Sequence, residues 1–300
     1  MNHAADDDSH KAATAEDEGC APATAPEPTP VVIVAGASRG VGRGIALALG
    51  AAGMRVVVTA RSSEGGRITE ARRETIEDTA RTIIAAGGSA YPYRCDHTDP
   101  RDVDGLTAWC LRRFGRIDTA ICAVWGGNEG FDGERYDDGT RWGDPYWRRP
   151  LTRFAPAMET GLYAALVLAH AVTPAMVASR AGVIGFVTFD PASGYLGDLT
   201  YDIAKASVAR LAFACAQDLA ETGVTALALA PGRVRTERAL EAGMRDDEGE
   251  SPLYLGRGIA ALLARGDAPA HAGRVVHAAD LAQRYAIDDT DGSRPPRFEP

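Results

Sequence analysis

The sequence predicts a single α/β domain built on a doubly wound parallel sheet. Short runs of β-branched and other apolar residues recur along the chain, and each is long enough for a strand that is buried on both faces. Segments with apolar residues at helical spacing separate these runs, and strands that alternate with helices form a parallel sheet covered on both sides. The chain has 300 residues, of which 45% are apolar, so it can bury a substantial core. We find no internal repeat and no second domain in the sequence.

The predicted elements follow one another in a regular order. The strands are VVIVAG directly after residue 30, MRVVVTAR, SAYPYR, IDTAICAV, GVIGFVT, VTALALA and GRVVHA. The helices are VGRGIALALGAAG, a segment from about Glu70 to Ala86, a helix with Asp99 as N-cap and Pro100 at its first position, the segments 156–179 and 201–221, and a helix that begins at Ser251-Pro252. The predicted domain therefore covers residues 31–300.

Composition limits the partners and the location that we expect. Residues 1 to about 30 are acidic and rich in Ala and Pro, which is typical of a disordered tail and not of a signal peptide. The formal charge of −9 argues against nucleic-acid binding, and no apolar stretch approaches the ~20 residues that a membrane span needs. The cysteines are odd in number and lack metal-type spacing, so we expect reduced thiols, a cytoplasmic location and no metal site. They are Cys20, Cys95, Cys110, Cys122 and Cys215.

Two connections are longer than a turn requires. Residues 126–155 are rich in Gly, Asp, Arg and aromatic residues, and residues 237–251 form a second polar stretch. Long loops in a compact α/β domain often serve binding, whereas the alternative is a disordered insertion. Trp125, Trp142 and Trp147 favour an ordered substrate loop, because disordered segments are poor in aromatics. Arg148-Arg149 could meet an acidic substrate, but a solvated pair needs no function.

Glycines follow the first strand at once and precede a helix. The turn reads AGASRGVG, with Gly36, Gly40 and Gly42. Glycines at such a turn allow the backbone to approach a pyrophosphate, and the helix N-terminus supplies donors and partial positive charge. The alternative is a plain tight turn without a ligand. The position between strand and helix favours a dinucleotide site.

The end of the second strand indicates which dinucleotide binds. NAD-preferring sites place an acidic residue there to accept from the ribose hydroxyls, but this chain has Arg61, and Arg39 lies in the glycine turn. Two guanidinium groups match the oxygens of a 2′-phosphate. The sequence therefore predicts NADP(H), unless one of the two arginines is only a surface residue.

Tyr201 and Lys205 stand four residues apart in TYDIAKAS. At this spacing two side chains share one face of a helix, so the ammonium can lie beside the phenol and lower the phenol pKa toward the range of a general acid and base. By itself the pair is weak evidence, because the same spacing is common on ordinary helices.

Together these motifs resemble the short-chain dehydrogenase/reductase family, with its Rossmann fold, over roughly residues 31–280. The glycine turn matches the family pattern with Ala35 in place of Thr, and Tyr201 and Lys205 fall where the family has its catalytic pair. The resemblance implies that Asp96 holds the adenine and that Pro231-Gly232 and Thr236 contact the nicotinamide. It implies cofactor contacts for Gly36, Ser38, Arg39, Gly40, Val41, Gly42, Arg61, Asp96, Cys122, Tyr201, Lys205, Pro231, Gly232, Val234 and Thr236.

The chain also departs from the family pattern. CAVWGG, residues 122–127, replaces the usual Asn-Asn-Ala-Gly. Thr188 stands where the catalytic serine is usual, with Ser193 as a competing candidate. The helix-borne asparagine is missing, since the sequence holds only Asn2 and Asn128. The Trp-Gly-Gly, the insertion 126–155 and the ending DGSRP are similar to a divergent branch of the family.

The resemblance implies hydride transfer between a nicotinamide and a carbonyl or alcohol substrate. Tyr201 would give its proton to the substrate oxygen, Thr188 would donate a hydrogen bond to that oxygen, and Lys205 would hold the nicotinamide ribose. A dinucleotide-binding sensor that has lost turnover is the alternative. We expect a small-molecule substrate, apolar or ring-bearing, and a homo-oligomer formed through the helices 156–179 and 201–221. His97, in CDH, is expected to lie beside the adenine rather than to bind a metal.

Overall fold

The described residues form one parallel sheet with helices on both faces. The computed structural model describes residues 29–66, 69 and 72–300. The strands are β1 (Val31–Ala35), β2 (Arg55–Ala60), β3 (Ser89–Arg94), β4 (Thr119–Cys122), β5 (Gly182–Val187), β6 (Val224–Ala230) and β7 (Val275–His277). All their pairings are parallel, in the order β3-β2-β1-β4-β5-β6-β7. The predicted fold class is confirmed, whereas the predicted tail lies almost wholly outside the described residues.

The helices cover the two faces of the sheet. They are α1 (Gly40–Ala51), α2 (Ile76–Ala85), α3 (Pro100–Phe114), α4 (Phe154–Met158), α5 (Ala164–Ser179), α6 (Leu199–Asp218), α7 (Glu237–Glu241), α8 (Pro252–Ala264) and α9 (Ala278–Tyr285). One core lies under α1, α2, α8 and α9 and includes Ile45 and Leu281. The other lies under α3, α5 and α6 and includes Leu106 and Val208. Both faces of the sheet are therefore buried, as the apolar strand runs predict.

One helical segment is long and apolar. A π-helical turn, Glu159–Tyr163, joins α4 to α5, and the run Leu151–Ser179 has 29 residues with a mean hydropathy of 1.6 in its most apolar window. By length and composition this run could cross a membrane, so the expectation that no apolar stretch approaches that length is wrong here. In the structure Leu168, Val172 and Met176 of this run are buried in the core against the sheet, which is the arrangement of a core helix.

The helix boundaries differ from the predictions where side chains cap a helix. α2 begins at Ile76 rather than at about residue 70, because Thr75 and Asp78 form a capping box at its N-terminus. α6 begins at Leu199, two residues earlier than predicted, because Asp198 caps it. The N-cap Asp99 of α3 is confirmed. The short helices α7 and α9 were not predicted from the sequence.

The insertion 126–155 is folded against the domain. It contains the 3₁₀ turns Tyr146–Arg148 and Leu151–Arg153 and a bridge between Phe131 and Tyr136. Arg149 makes an ion pair with Asp198, and both side chains are almost completely buried. The interpretation of Arg149 as a solvated loop residue is therefore wrong, whereas Arg148 is exposed.

Candidate active site

A cavity of about 320 Å³ lies at the carboxyl ends of the strands, where the chain order in the sheet reverses between β1 and β4. In open α/β sheets ligands bind at this reversal. Most of the predicted site residues line the cavity: Gly36, Ser38, Arg39, Gly40, Val41, Gly42, Arg61, Asp96, Thr188, Tyr201, Lys205, Pro231 and Thr236.

Three of the predicted cofactor contacts lie elsewhere. Cys122 is 3% exposed, and its thiol belongs to the core below the strand ends, where burial raises its pKa to about 11. Gly232 lines a neighbouring, smaller cavity. Val234 pairs with Glu250 in an isolated β-bridge. Cys122 ends a strand as predicted, but its side chain packs in the apolar core.

The glycine turn leaves no room for side chains. Gly36 has φ +77°, and a Cβ at this residue would lie 2.7 Å from the carbonyl oxygen of Ala123. A Cβ on Gly42 would lie 2.2 Å from the carbonyl oxygen of Gly36. The turn therefore requires glycine at both positions, and it exposes the N-terminus of α1 to the cavity.

Arginines and polar groups gather at the end of the cavity near β2 and β3. Arg61 donates to Glu129 at 2.9 Å, and Arg39 donates to Thr69 at 3.1 Å. Asp96 accepts hydrogen bonds from the backbone and hydroxyl groups of Thr98 at 3.0 and 2.7 Å.

His97 is buried beside these groups. Its Nε2 lies 3.0 Å from the hydroxyl of Thr59, and burial lowers its pKa to about 4. A neutral imidazole fits a polar pocket wall. Among residues 29–66, 69 and 72–300, no three His, Cys, Asp or Glu side chains are grouped to hold a metal ion.

Tyr201 lies among aromatic rings at the opposite end of the cavity. The ring centres of Trp125 and Trp142 are 5.2 and 5.3 Å from the centre of the Tyr201 ring. Burial raises the pKa of Tyr201 above its ordinary value. Lys205 Nζ is 5.7 Å from the Tyr201 ring centre, and burial lowers the pKa of Lys205 to about 8. The two residues share one helix face as predicted, but the expected lowering of the phenol pKa is not found, because burial dominates.

Thr188 lies beside this pair, but its proton is already used. It is 2% exposed, and its hydroxyl donates to the backbone carbonyl of Lys205 at 2.6 Å. A hydroxyl has one proton to donate, so in this arrangement Thr188 can only accept from a substrate. The expected donation to a substrate oxygen therefore requires a rotation of the side chain. The alternative candidate, Ser193, lies in a 3₁₀ turn and does not line this cavity.

A second cavity of about 230 Å³ opens on the other side of Tyr201 and Thr188. Its walls are mostly apolar, with Trp142, Phe189, Leu196 and Phe298. Phe298, near the end of the chain, lies 6.4 Å from Phe189 between ring centres. Tyr201 and Thr188 thus stand where the larger cavity and the smaller one meet.

Comparisons with known proteins identify the family. A family model described as short chain dehydrogenase matches residues 30–245. The chain belongs to the short-chain dehydrogenase family. Dehydrogenase/reductase SDR family member 1 of Mus musculus is 29% identical over 264 residues, which cover 83% of this chain and 79% of that protein.

Solved structures of other family members have the same fold. A short-chain type dehydrogenase/reductase from Mycobacterium marinum is 26% identical with a TM-score of 0.65, over 83% of this chain and 93% of that chain. A metagenomic short-chain oxidoreductase in complex with NADP is 25% identical with a TM-score of 0.62, over 83% of this chain and 97% of that chain.

Some residues of this short-chain dehydrogenase site were not found from the sequence. Asp198 accepts the backbone N–H of Tyr201 at 2.9 Å and also receives Arg149 of the insertion. An acidic residue directly before a helix is a recognisable N-cap, so Asp198 could have been predicted. Its partner could not, because no local pattern links positions so far apart in the sequence.

The π-helical turn contributes a further residue. Thr160 lines the main cavity, accepts the N–H of Gly126 at 3.0 Å and donates to the carbonyl of Pro156 at 2.8 Å. It thereby fixes the start of the insertion to the helix beside the site. π turns are frequent at functional sites but have no simple sequence signal.

Proposed function

We propose that this protein is an NADP(H)-dependent oxidoreductase that transfers a hydride between nicotinamide and a carbonyl or alcohol carbon, with Tyr201 as general acid and base. The observation that carries the proposal is the position of Tyr201 at the junction of the two cavities, with Lys205 on the same helix face lining the main cavity beside it. In a member of the short-chain dehydrogenase family, this pair is the expected proton-transfer group.

The main cavity fits a dinucleotide. Gly36 and Gly42 allow a pyrophosphate to approach the backbone, and the N-terminus of α1 favours negative charge there. Asp96 would supply carboxylate oxygens for an amino group of adenine, and Thr236 lines the same cavity. Arg61 and Arg39 would receive the 2′-phosphate of NADP(H). The NADP held by the metagenomic relative supports this choice.

The chemistry follows from the side chains around the junction. A bound nicotinamide would supply or accept the hydride. Tyr201 would donate its phenolic proton to the developing alkoxide, and the Lys205 ammonium would add positive charge beside it. Rotation of Thr188 would direct its hydroxyl proton to the same oxygen. Trp125 and Trp142 shield the phenol from water on two sides.

The smaller cavity would take the substrate. Its aromatic walls favour a small molecule with an apolar or ring-bearing body, and Thr188 and Tyr201 mark the place of the carbonyl. The exposed apolar residues of the two long helices, Leu166, Val177, Ile203 and Phe213, support a homo-oligomer that packs α5 and α6. We expect the protein to act in the cytoplasm.

A second candidate function is a dinucleotide-binding sensor without turnover. Two observations favour it: the Thr188 hydroxyl is bound to the protein's own backbone, and burial raises the pKa of Tyr201, which makes the phenol a weaker acid. Both features weaken proton transfer without weakening dinucleotide binding.

One experiment tests the proposal and separates the two candidates. NADPH consumption is measured with the purified protein across a panel of aldehydes, ketones and quinones, together with NADPH-binding titrations. For any substrate that is reduced, Tyr201→Phe should lower kcat by about 10²- to 10⁴-fold, the usual contribution of a general acid, and leave NADPH affinity nearly unchanged. Full activity of the Tyr201→Phe variant would contradict the mechanism, whereas tight binding without any turnover would favour the sensor.

A further inference from the structure

Two carboxylates of the protein lie on groups that the sequence assigns to the cofactor's phosphates. Glu129 Oε1 accepts from Arg61 Nη2 at 2.9 Å. Glu237 Oε2 accepts from the backbone N–H of Gly40 at 2.8 Å. Both acidic residues line the main cavity together with their donors. One belongs to the insertion 126–155 and the other begins α7.

A carboxylate and a phosphate compete for the same donors. Both present anionic oxygens, and both are favoured at a helix N-terminus and on a guanidinium group. Gly40 is the first residue of α1, and its single N–H cannot serve two acceptors at full strength. Arg61 has further donors, but Glu129 neutralises its charge and would repel a neighbouring phosphate.

The two contacts differ in strength. The side chains of Arg61 and Glu129 are 27% and 47% exposed, so water screens their ion pair and a ligand displaces it at small cost. Gly40 and Glu237 are only partly exposed, and a hydrogen bond from a helix N-terminus to a carboxylate is charge-assisted. Breaking the hydrogen bond between Gly40 and Glu237 therefore costs more free energy than breaking the ion pair between Arg61 and Glu129.

We propose that Glu129 and Glu237 are internal competitors of the cofactor's phosphate groups. Glu237 opposes the pyrophosphate and lowers the affinity for NADPH and NADH alike. Glu129 opposes the 2′-phosphate and thereby sets how strongly the site prefers NADPH over NADH. The inference rests on the proposed function only in taking a nicotinamide dinucleotide as the ligand.

Glu129 has one alternative role, that of an acceptor for the ribose hydroxyls of NAD, and binding measurements distinguish it from competition with the phosphate. An acidic residue at the ribose accepts the 2′- and 3′-hydroxyl groups of NAD and rejects a 2′-phosphate. If Glu129 acted in this way, its loss would weaken NADH binding. If it competes with the phosphate, its loss leaves NADH binding unchanged and strengthens NADPH binding.

The test is a set of calorimetric titrations of NADPH and NADH into the full-length protein and its Glu129→Gln, Glu237→Gln and Glu134→Gln variants. Gln keeps the shape of Glu without its charge. Glu134 is the matched control, since it is an exposed residue of the same insertion that pairs with Arg141 and lines neither cavity. Thermal unfolding of each variant checks that the fold is kept.

We expect Glu129→Gln to lower the Kd for NADPH by about threefold to fivefold, the range of an exposed ion pair, with less than a twofold change for NADH. Glu237→Gln should lower both Kd values by about tenfold, as for a charge-assisted hydrogen bond. Glu134→Gln should change neither. Weaker NADH binding by Glu129→Gln, or unchanged binding of both cofactors by Glu237→Gln, would overturn the proposal.

The outcomes also separate this proposal from the proposed function. Wild-type protein that binds neither cofactor would overturn both. A second outcome would overturn only the proposed competition. In it the wild type binds NADPH and Tyr201→Phe abolishes turnover, but Glu129→Gln and Glu237→Gln bind both cofactors as the wild type does.

Discussion

The two ends of the site are built in different ways. The glycine turn at the cofactor end comes from one short stretch of sequence, Gly36 to Gly42, and works through its backbone. The proposed substrate end combines Trp142 of the insertion, Phe189 after β5, Tyr201 of α6 and Phe298 near the end of the chain. A local motif can be identified by its residue order, whereas a wall assembled from distant segments exists only after folding. The comparison also predicts different sensitivities to mutation at the two ends.

The largest expected effect is at the anchor of the substrate end. Arg149→Met would leave the Asp198 carboxylate buried without its partner, which should cost about 3–5 kcal/mol of unfolding free energy in urea denaturation. Arg148→Met is the control, because Arg148 is exposed. Adding Asp198→Asn removes the unpaired charge but keeps an N-cap residue, so it should restore part of the loss. An Arg149→Met variant as stable as Arg148→Met would show that the insertion is not held by this pair.

At the cofactor end, Gly42→Ala should weaken NADPH binding by about 10- to 100-fold. The added Cβ would meet the Gly36 carbonyl at 2.2 Å, and overpacking of this kind costs about 1–3 kcal/mol. Gly105→Ala in α3 is the control, since its Cβ would find the nearest atom at 3.5 Å. Binding titrations that show equal affinity for both variants would mean that the turn adapts or does not hold the pyrophosphate.

Lys205 lies between the two ends, and burial of its charged side chain should lower the free energy of unfolding. Its pKa falls from 10.5 to about 8 through burial, so the folded state disfavours its charged form. This penalty is fully present below pH 8 and disappears as the pH rises toward 10.5, because in this interval the unfolded state binds more protons. Lys205→Met should therefore be more stable than the wild type at pH 7, and the difference should shrink by about 2 kcal/mol at pH 9.5. A difference independent of pH in urea denaturation would contradict this.

The smallest expected effect is at the outer wall of the proposed substrate cavity. Phe298→Ala removes one ring from the pair with Phe189, and such pairs contribute about 0.5–1.5 kcal/mol. We expect kcat/KM for apolar ketones to fall by about twofold to tenfold through KM, with unchanged NADPH affinity. Phe154→Ala is the control, because Phe154 lines neither cavity. A loss of NADPH affinity would place Phe298 at the wrong end of the site.

The sequence predicted what depends on local patterns. The strand runs and the glycine turn define the sheet and the cofactor end, because burial and backbone conformation constrain residue type directly. The four-residue spacing of Tyr201 and Lys205 likewise predicted that they share one helix face. Three other features could not be predicted, since each depends on distant segments meeting in the fold. They are the ion pair of Arg149 with Asp198, the contact of Glu129 with Arg61 and the cavity wall formed by Phe298.

Electrostatic details were the least predictable part. The proximity of Lys205 suggested a lowered pKa for Tyr201, but aromatic packing buries the phenol and raises its pKa. Thr188 has the expected position, yet its proton is bound to the backbone of Lys205. Burial and proton direction are properties of the packed site and not of residue order.

The most direct test of the central claim is to follow the hydride itself. NADPH carrying deuterium at C4, in either stereochemical position, is incubated with a reducible ketone, and the alcohol product is examined by mass spectrometry for wild type and Tyr201→Phe. We expect deuterium on the former carbonyl carbon from one of the two labelled forms, and almost no labelled product with the variant. Product without deuterium from either form, or equal labelling by the variant, would contradict it.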